Sequence, residues 1–162
     1  GKSRESGAIT AEKLKGSGVT ATLSGTVKND TARDFAYMSV MFDGYIMVFS
    51  DVKAGETLDL AAAVKDGRCV FQEIVAYYDS LIYDMVSIYS SGNNVGYEQE
   101  AMAALLCGIG IAEDNQPYDT ACARIVGVVK DYEKAVADKC SEKAWGCIYS
   151  YAEMEVKEHA AN

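Results

Sequence analysis

Residues 18–60 read GVTATLSGTVKNDTARDFAYMSVMFDGYIMVFSDVKAGETLDL, and this stretch decides the fold class. Its first part alternates between apolar side chains at Val19, Ala21, Leu23 and Val27 and polar threonines and serines. Alternation with a period of two is typical of a strand of an antiparallel sheet that is buried on one face only. The chain is therefore predicted to enter a β-sheet from Gly18 onward.

Three further strands are predicted in the same stretch. Residues 35–42 are apolar on both faces, which predicts a central strand. The pair Asp43-Gly44 is a strong hairpin signal and leads into a strand over residues 45–49. A polar turn at residues 53–56 precedes a strand over residues 57–61. Four short strands joined by polar turns predict a small sandwich or an open meander.

Beyond this stretch the period of the apolar residues changes. Steps of three and four over residues 71–89 predict an amphipathic helix, although residues 69–71 at its start fit a strand as well, and residues 97–106 predict a second helix. Residues 121–129 and 145–156 are predicted to be strands. Residues 131–142 fit a short helix and a strand with a turn about equally well. The predicted fold class is α+β, with an antiparallel sandwich or meander first, then two helices, then a strand pair.

The chain of 162 residues is predicted to form one compact unit with three segments. Residues 1–17 are polar and predicted to be a frayed N-terminal segment. Residues 18–66 carry the sandwich-like strands. Residues 67–162 carry the two helices and the last two strands, packed against the first strands.

The charge and hydrophobicity of the sequence argue against two classes of partner. The net charge is −9 and Lys and Arg form no cluster, so nucleic acid and anionic lipid are not expected as partners. The longest apolar run, residues 101–112, is roughly half of the ~20 residues that span a bilayer. Because the chain begins at Gly1 rather than Met, we expect a fragment that meets a membrane only through segments outside it.

The sequence contains no arrangement typical of catalysis or of metal binding. The single histidine, His159, lies in a tail predicted to be loose, which argues against a nucleophile–base pair. The five cysteines include no C-x-x-C pair and have no nearby histidine, so no metal is expected. Cys140 and Cys147 are a candidate disulfide across a predicted turn. We expect no enzyme activity, no catalytic residues and no cofactor.

Two alternatives to a non-catalytic domain stay open. One is a carboxylate-dependent glycan hydrolase, although Asp79 and Asp84 are five residues apart on the predicted helix and do not share a face. The other is a cytoplasmic protein-interaction domain, which five free thiols would favour.

Tyrosine is the most unusual feature of the composition, with eleven residues. Several tyrosines cluster on and near the long predicted helix, and they cannot all face inward from one cylinder. Rings with polar tips suit recognition of a protein or a glycan. The candidate recognition surface comprises Tyr77, Tyr83, Tyr89 and Tyr97. The competing interpretation is ordinary packing at a half-buried boundary between helix and sheet.

The turn and strand motifs resemble a family. The strings SGTVKND at residues 24–30 and KAGET at residues 53–57 resemble the immunoglobulin-like β-sandwich modules found outside the membrane in Gram-positive bacteria. The later motifs, at residues 77–89, 103–106 and 125–128, resemble the extracellular parts of uncharacterised membrane proteins of gut Firmicutes. The resemblance implies an immunoglobulin-like sandwich on the extracellular side of a bacterial membrane, with a binding or structural role and no catalytic residues.

Overall fold

The computed structural model describes residues 8–18, 23–92, 96–114, 122–130 and 145–155. Strands and helices follow one another along these residues in a mixed α+β order. They are β1 (Ile9–Lys15), β2 (Ser24–Asn29), β3 (Phe35–Phe42), β4 (Tyr45–Val52), β5 (Thr57–Asp59), α1 (Leu60–Lys65), β6 (Cys69–Glu73), α2 (Ile74–Ser90), α3 (Tyr97–Asp114), β7 (Cys122–Lys130) and β8 (Trp145–Glu155).

The described strands form one sheet in the order β5-β2-β1-β8-β7-β3-β4-β6. β1 and β8 run parallel and pair Leu14 with Met154, while every other neighbouring pair is antiparallel. Residues of β2 and β5 at one end share a core with residues of β4 near the other end. The sheet therefore curls into a half-barrel.

Strand β3 is central, as its two apolar faces predict, because it pairs with β4 on one side and β7 on the other. The predicted Asp43-Gly44 hairpin is confirmed. Asp43 has φ 47° and Gly44 has φ 78°, so both central residues adopt the left-handed conformation that a tight two-residue turn requires. This hairpin fixes the register that places Phe42 opposite Tyr45.

Two apolar cores lie on the two faces of the sheet. The inner core lies inside the curl and includes Met38, Val40 and Phe42 of β3 together with Leu60 of α1. The outer core lies between the opposite face of the sheet and helices α2 and α3. It contains these buried residues: Met41, Ile46, Val48, Ile74, Leu81, Leu105, Ile109, Ala112, Val126 and Val128.

The predicted separate N-terminal sandwich is not confirmed. Strands β7 and β8, from the last third of the chain, lie between β1 and β3 in the sheet order. The antiparallel pairing of β7 with β8 confirms the predicted C-terminal strand pair. Because this pair is inserted between the N-terminal strands, residues 18–66 and 67–162 contribute to the same sheet rather than to successive layers.

The first two local predictions that need correction concern residues 9–15 and residues 60–61. Residues 9–15 form a strand with Ile9 and Leu14 in the inner core, so this part of the predicted frayed segment is ordered by its pairing with β2. Residues 60–61 were predicted to continue a strand. Instead, the side chain of Asp59 accepts a hydrogen bond from Ala62 N at 3.0 Å and starts a third helix.

Helix α2 begins three residues later than predicted from residue 71, because Cys69–Glu73 pairs with β4 as strand β6. Helix α3 continues to Asp114, eight residues past its predicted end at residue 106. No helix among the described residues is both long and apolar enough to cross a membrane. The ambiguous segment 131–142, the alternating residues 19–22 and His159 lie outside the described residues.

Candidate functional site

Helix α2 has an apolar side that faces the sheet and a second apolar side that faces outward. Its buried residues are Ile74, Leu81 and Met85. The outward side chains form the surface called here the α2 outer face, with these exposed fractions: Val75 72%, Ile82 38%, Tyr83 71%, Val86 60% and Tyr89 53%. A surface helix ordinarily has a single apolar stripe, and the α2 outer face widens that stripe because it lies about 90° around the axis from the buried residues.

The spacing of these residues places them along one side of α2, where the exposed Asp79 separates Val75 from the others. Val75, Ile82, Val86 and Tyr89 are seven, four and three residues apart, which places them within about 60° of one another around the helix axis. Tyr83 flanks the stripe. The five side chains expose roughly 500 Å² together, which is comparable with the largest patch on a typical monomer, about 300–600 Å² and often functional.

Helices α2 and α3, which cover the outer core, carry no positively charged residue. No Lys, Arg or His occurs between Arg68 and Arg124 in the sequence, although the whole chain has fifteen Lys and Arg. The same stretch contains eight acidic residues: Glu73, Asp79, Asp84, Glu98, Glu100, Glu113, Asp114 and Asp119. Helices α2 and α3 therefore carry a negative net charge.

The four tyrosines of the predicted recognition surface do not share one environment. Tyr83 and Tyr89 belong to the α2 outer face. Tyr77 is half-buried against the outer core, where burial, followed by the nearby Tyr37 and Asp84, raises its pKa to about 12. Tyr97 begins α3. The structure thus leaves Tyr83 and Tyr89 exposed on α2, about 120° apart around its axis, while Tyr77 is half-buried and Tyr97 lies on another helix.

Tyr97 belongs to a cluster of its own at the start of α3. Its ring meets the ring of Trp145 edge to face at a centroid distance of 5.1 Å. The Nζ of Lys130 lies 4.5 Å from the centroid of the Tyr97 ring. The Nε1 of Trp145 donates a hydrogen bond to Glu100 Oε1 at 3.0 Å. These contacts tie α3 to the ends of β7 and β8, so Tyr97 has a packing role.

A cavity of about 210 Å³ lies beside this cluster, and its lining residues are Ala36, Tyr37, Ser50, Asp51, Tyr97, Glu98 and Ala101. It forms where the alternation of two paired strands breaks. Phe49 and Val52 are three residues apart, yet both belong to the inner core, and Asp51 between them has φ 60°. Ser50 and Asp51 consequently both lie on the exposed side of β4.

Some of the polar groups that line this cavity already have partners within the chain. The carboxylate of Asp51 forms an ion pair with Lys53 Nζ at 3.1 Å. Burial, followed by the charge of Glu98 and the proximity of Tyr97, raises the pKa of the Tyr37 hydroxyl, so this group stays a neutral hydrogen-bond donor. The cavity is smaller than the roughly 300–1,000 Å³ of usual small-molecule sites.

Three of the four cysteines among the described residues, Cys69, Cys122 and Cys147, are partly buried, and Cys107 is exposed. Cys69, Cys107, Cys122 and Cys147 make no disulfide with one another. The Sγ of Cys147 donates to Ala104 O at 3.5 Å, and burial raises the pKa of this thiol to about 11, which keeps it protonated at neutral pH. The predicted pairing of Cys147 with Cys140 stays a prediction, because Cys140 lies outside the described residues.

The described residues do not assemble the carboxylate pair of a glycan hydrolase on α2. Asp79 and Asp84 are both exposed, and five residues along a helix separate them by about 140° around its axis. Within the described ranges, no group of three or more His, Cys, Asp or Glu residues is placed to hold a metal ion.

The sequence motif Asn29-Asp30-Thr31 has a structural role. Asn29 is fully buried, and its Nδ2 donates to the carbonyl oxygens of Arg33 at 2.8 Å and Lys53 at 3.2 Å. Its Oδ1 accepts from Thr31 Oγ1 at 2.6 Å. The side chain that a glycosylation sequon would present is therefore enclosed and fully hydrogen-bonded in the folded chain.

Sequence reasoning based on tyrosines missed the aliphatic part of the site. Val75, Ile82 and Val86 form most of the stripe, and their exposure is decided by which side of α2 meets the sheet. The absence of basic residues between Arg68 and Arg124 was readable from the sequence and would have marked this layer as distinct.

Comparison with known proteins gives a family without a known activity. No curated protein and no solved structure matches the chain. A family model described as "Domain of unknown function (DUF8725)" matches residues 17–143, which is more than half of the chain. The match begins after β1 and includes the hairpin, the helical layer and β7. The chain therefore belongs to this family, the domain of unknown function DUF8725.

Proposed function

We propose that the protein is a non-catalytic binding domain that recognises a protein partner through the α2 outer face. The observation that carries this proposal is the row of exposed apolar side chains on α2, about 90° around the helix axis from the side that is already buried. Scattered exposed apolar residues need no explanation, but five on one side of a single helix typically mark an interaction site.

The size of the stripe sets the kind of contact. A stable interface between globular proteins buries about 800 Å² on each partner, which exceeds the roughly 500 Å² available here. Full burial of one Val or Tyr side chain contributes about 1.5–3 kcal/mol before association costs. A single peptide segment or helix therefore suits this face better than a broad globular surface.

We further propose that the domain acts on the extracellular side of a bacterial membrane, anchored by segments outside this chain. The support for this location is the resemblance of the SGTVKND and KAGET motifs at residues 24–30 and 53–57. The immunoglobulin-like character implied by the resemblance rests on the same two motifs. The strand order of the sheet does not support it. Protease treatment of intact source cells tests the location, because an enclosed domain would survive the treatment and contradict it.

Selection from a displayed peptide library tests the binding role. The bait is the wild-type domain, and the counter-bait carries Val75→Ser, Tyr83→Ser and Val86→Ser. We expect peptides that bind the wild type and lose at least tenfold of their affinity for the counter-bait. Tyr151→Ser, an exposed change on β8, serves as the control and should bind the same peptides as the wild type.

Two outcomes would contradict the proposal. The first is that no peptide is enriched on the wild type. The second is that the enriched peptides bind the triple variant as tightly as the wild type. Because all three altered side chains are well exposed, the triple variant is expected to unfold at the same denaturant concentration as the wild type, within error.

A further inference from the structure

The charges around the α2 outer face identify the chemistry of its partner. Asp79 is exposed on α2 within the arc of the outer face, between Val75 and Tyr83, whereas the exposed Asp84 lies about 140° from Asp79 around the helix axis. Glu73 occupies the N-cap position of this helix without a side-chain capping hydrogen bond and is also exposed. No basic residue of the sequence between Arg68 and Arg124 offsets them.

The neighbouring helix adds to the same field. The hydroxyl of Tyr78 on α2 lies 3.5 Å from the position that a Cβ would take on Gly110 of α3. The end of α3 therefore lies beside the beginning of α2, and the exposed Asp114 lies at that end. Glu113 is the exception, because its carboxylate forms an ion pair with Arg124 of β7.

This field argues against two other occupants of the face. A second copy of the chain would meet it across a two-fold axis, which places the same negative surface on both sides. An anionic membrane surface binds helices that are rich in Lys and Arg, and it would repel a helix whose charged residues are Asp79 and Asp84.

We propose that the α2 outer face binds an amphipathic helix whose apolar stripe is flanked by Lys and Arg residues. This inference rests on the proposed binding role of the same face. The anchors Val75, Ile82, Val86 and Tyr89 extend over most of a helix of seventeen residues, which is about 25 Å long. A partner helix of similar length can match them with apolar residues three, four and seven positions apart.

The apolar stripe and the charges around it each predict a measurable property of binding. The apolar stripe supplies affinity, whereas opposite charges at the rim mainly raise the association rate and fix the partner's orientation. Exposed charge pairs are screened by salt, since the Debye length falls from about 10 Å at 0.1 M to about 3 Å at 1 M. Binding of the basic helix should therefore weaken several-fold between these salt concentrations.

Three synthetic peptides of eighteen or so residues test the inference by fluorescence anisotropy. The first has an apolar stripe at helical spacing with Lys and Arg flanks, and the second has the same stripe with Glu flanks. The third contains the residues of the first in an order without a stripe. We expect the first peptide to bind at least tenfold more tightly than either of the others.

Matched variants separate the contribution of the charges from that of the apolar stripe. Asp79→Asn should weaken binding of the basic peptide about two- to fivefold, the size of an exposed charge pair, and reduce its salt dependence. Asp84→Asn, on the other side of α2, should have a smaller effect. Val75→Ser with Val86→Ser should weaken binding of the peptide at least tenfold. Glu12→Gln on β1, an exposed change of the same charge type away from α2, is the control and should leave the affinity unchanged.

Each alternative result overturns a stated part of the inference. If the Glu-flanked peptide binds equally well, the basic chemistry is wrong while the binding role of the face stands. If Val75→Ser with Val86→Ser leaves the affinity of the basic peptide unchanged, the location is wrong. If the basic peptide fails to bind while anionic lipid vesicles do bind, the partner is a membrane and the inference is overturned. If library selection enriches peptides but none is basic, only the partner chemistry fails.

Discussion

The Sγ of Cys147 lies 2.9 Å from the position that a Cβ would occupy on Gly108, and Cγ1 of Val126 lies 2.8 Å from the same position. A glycine in the middle of α3 thus lets the helix backbone rest directly on β7 and β8. This close approach packs α3 on β7 and β8, while α2 packs beside it on β4 and β6.

Gly108→Ala is expected to destabilise the protein by about 1–2 kcal/mol, because the added methyl group overpacks the contact and outweighs the helix propensity gained. Gly110→Ala is the matched control. Its Cβ would lie 3.5 Å from the Tyr78 hydroxyl, an ordinary contact, so we expect no loss and a gain of up to about 1 kcal/mol. Urea unfolding measures both. Equal effects of the two substitutions would contradict the close approach at Gly108.

Asn29→Ala should cost about 3 kcal/mol, since it removes the side chain that satisfies three buried or half-buried carbonyl oxygens. Asn29→Asp keeps the shape but turns a donor toward those oxygens into an acceptor. The pKa of the new carboxyl should be raised, so the protonated form is favoured in the folded state. The penalty is then smallest below about pH 4, the unfolded pKa, and grows as the pH rises.

Unfolding of Asn29→Asp at pH 4 and pH 7 measures this difference. Asp30→Asn, at the exposed neighbouring position, is the control and should change stability by less than about 0.5 kcal/mol at either pH. A pH-independent penalty for Asn29→Asp would show that the donors of Asn29 do not hold the turn.

The ion pair of Arg124 and Glu113 connects β7 to the end of α3, and Arg124 is 6% exposed. Its Nε has no hydrogen-bond partner among the described residues. Glu113→Gln leaves a buried cation without its carboxylate and should cost about 2 kcal/mol, a value reduced because Glu113 is partly exposed. Arg124→Met removes the same ion pair together with the buried charge, so we expect a change within about 1 kcal/mol.

Thermal unfolding of the two variants under the same conditions gives the order of stability. Glu113→Gln should unfold at the lower temperature. The reverse order would mean that the arginine contributes through packing of its side chain rather than through its charge.

Tyr77 should make stability fall at high pH. Its pKa is raised to about 12 in the folded chain, so the folded state retains a proton that the unfolded state loses near pH 10. The stabilisation is complete below pH 10 and is lost as the pH rises to 12. Between pH 9 and pH 11, the free energy of unfolding of Tyr77→Phe should therefore fall by about 1 kcal/mol less than that of the wild type.

Denaturant unfolding at these two pH values measures the effect of Tyr77→Phe. Tyr83→Phe, on the exposed side of the same helix, is the control and should follow the wild type. If Tyr77→Phe also follows the wild type, burial of Tyr77 does not control the alkaline transition.

Much of the local structure was predictable from the sequence. The Asp43-Gly44 turn and the apolar faces of residues 35–42 specify a hairpin with a central strand, because both signals depend on neighbours along the chain. The helical period over residues 71–89 likewise specified α2. Its first residues differ because pairing with β4 outweighed the helical pattern at Cys69–Glu73.

Contacts between distant residues account for the errors. Ile9–Lys15 has a polar sequence around it, and its order comes from pairing with β2 and β8. The sandwich was inferred from four consecutive strands, but nothing local to them indicates that β7 and β8 insert between β1 and β3. Strand order depends on pairings between residues far apart in sequence, which alternation does not encode.

The candidate site, like the fold, depends partly on the local sequence and partly on contacts between distant residues. The sequence by itself determined that α2 would be apolar, that it would carry tyrosines and that no basic residue would accompany them between Arg68 and Arg124. Only the tertiary structure decided which apolar side is exposed. Gly108 allows α3 to contact Cys147 and Val126 closely, Ile74 and Leu81 then fill the outer core, and Val75 and Val86 are left facing outward.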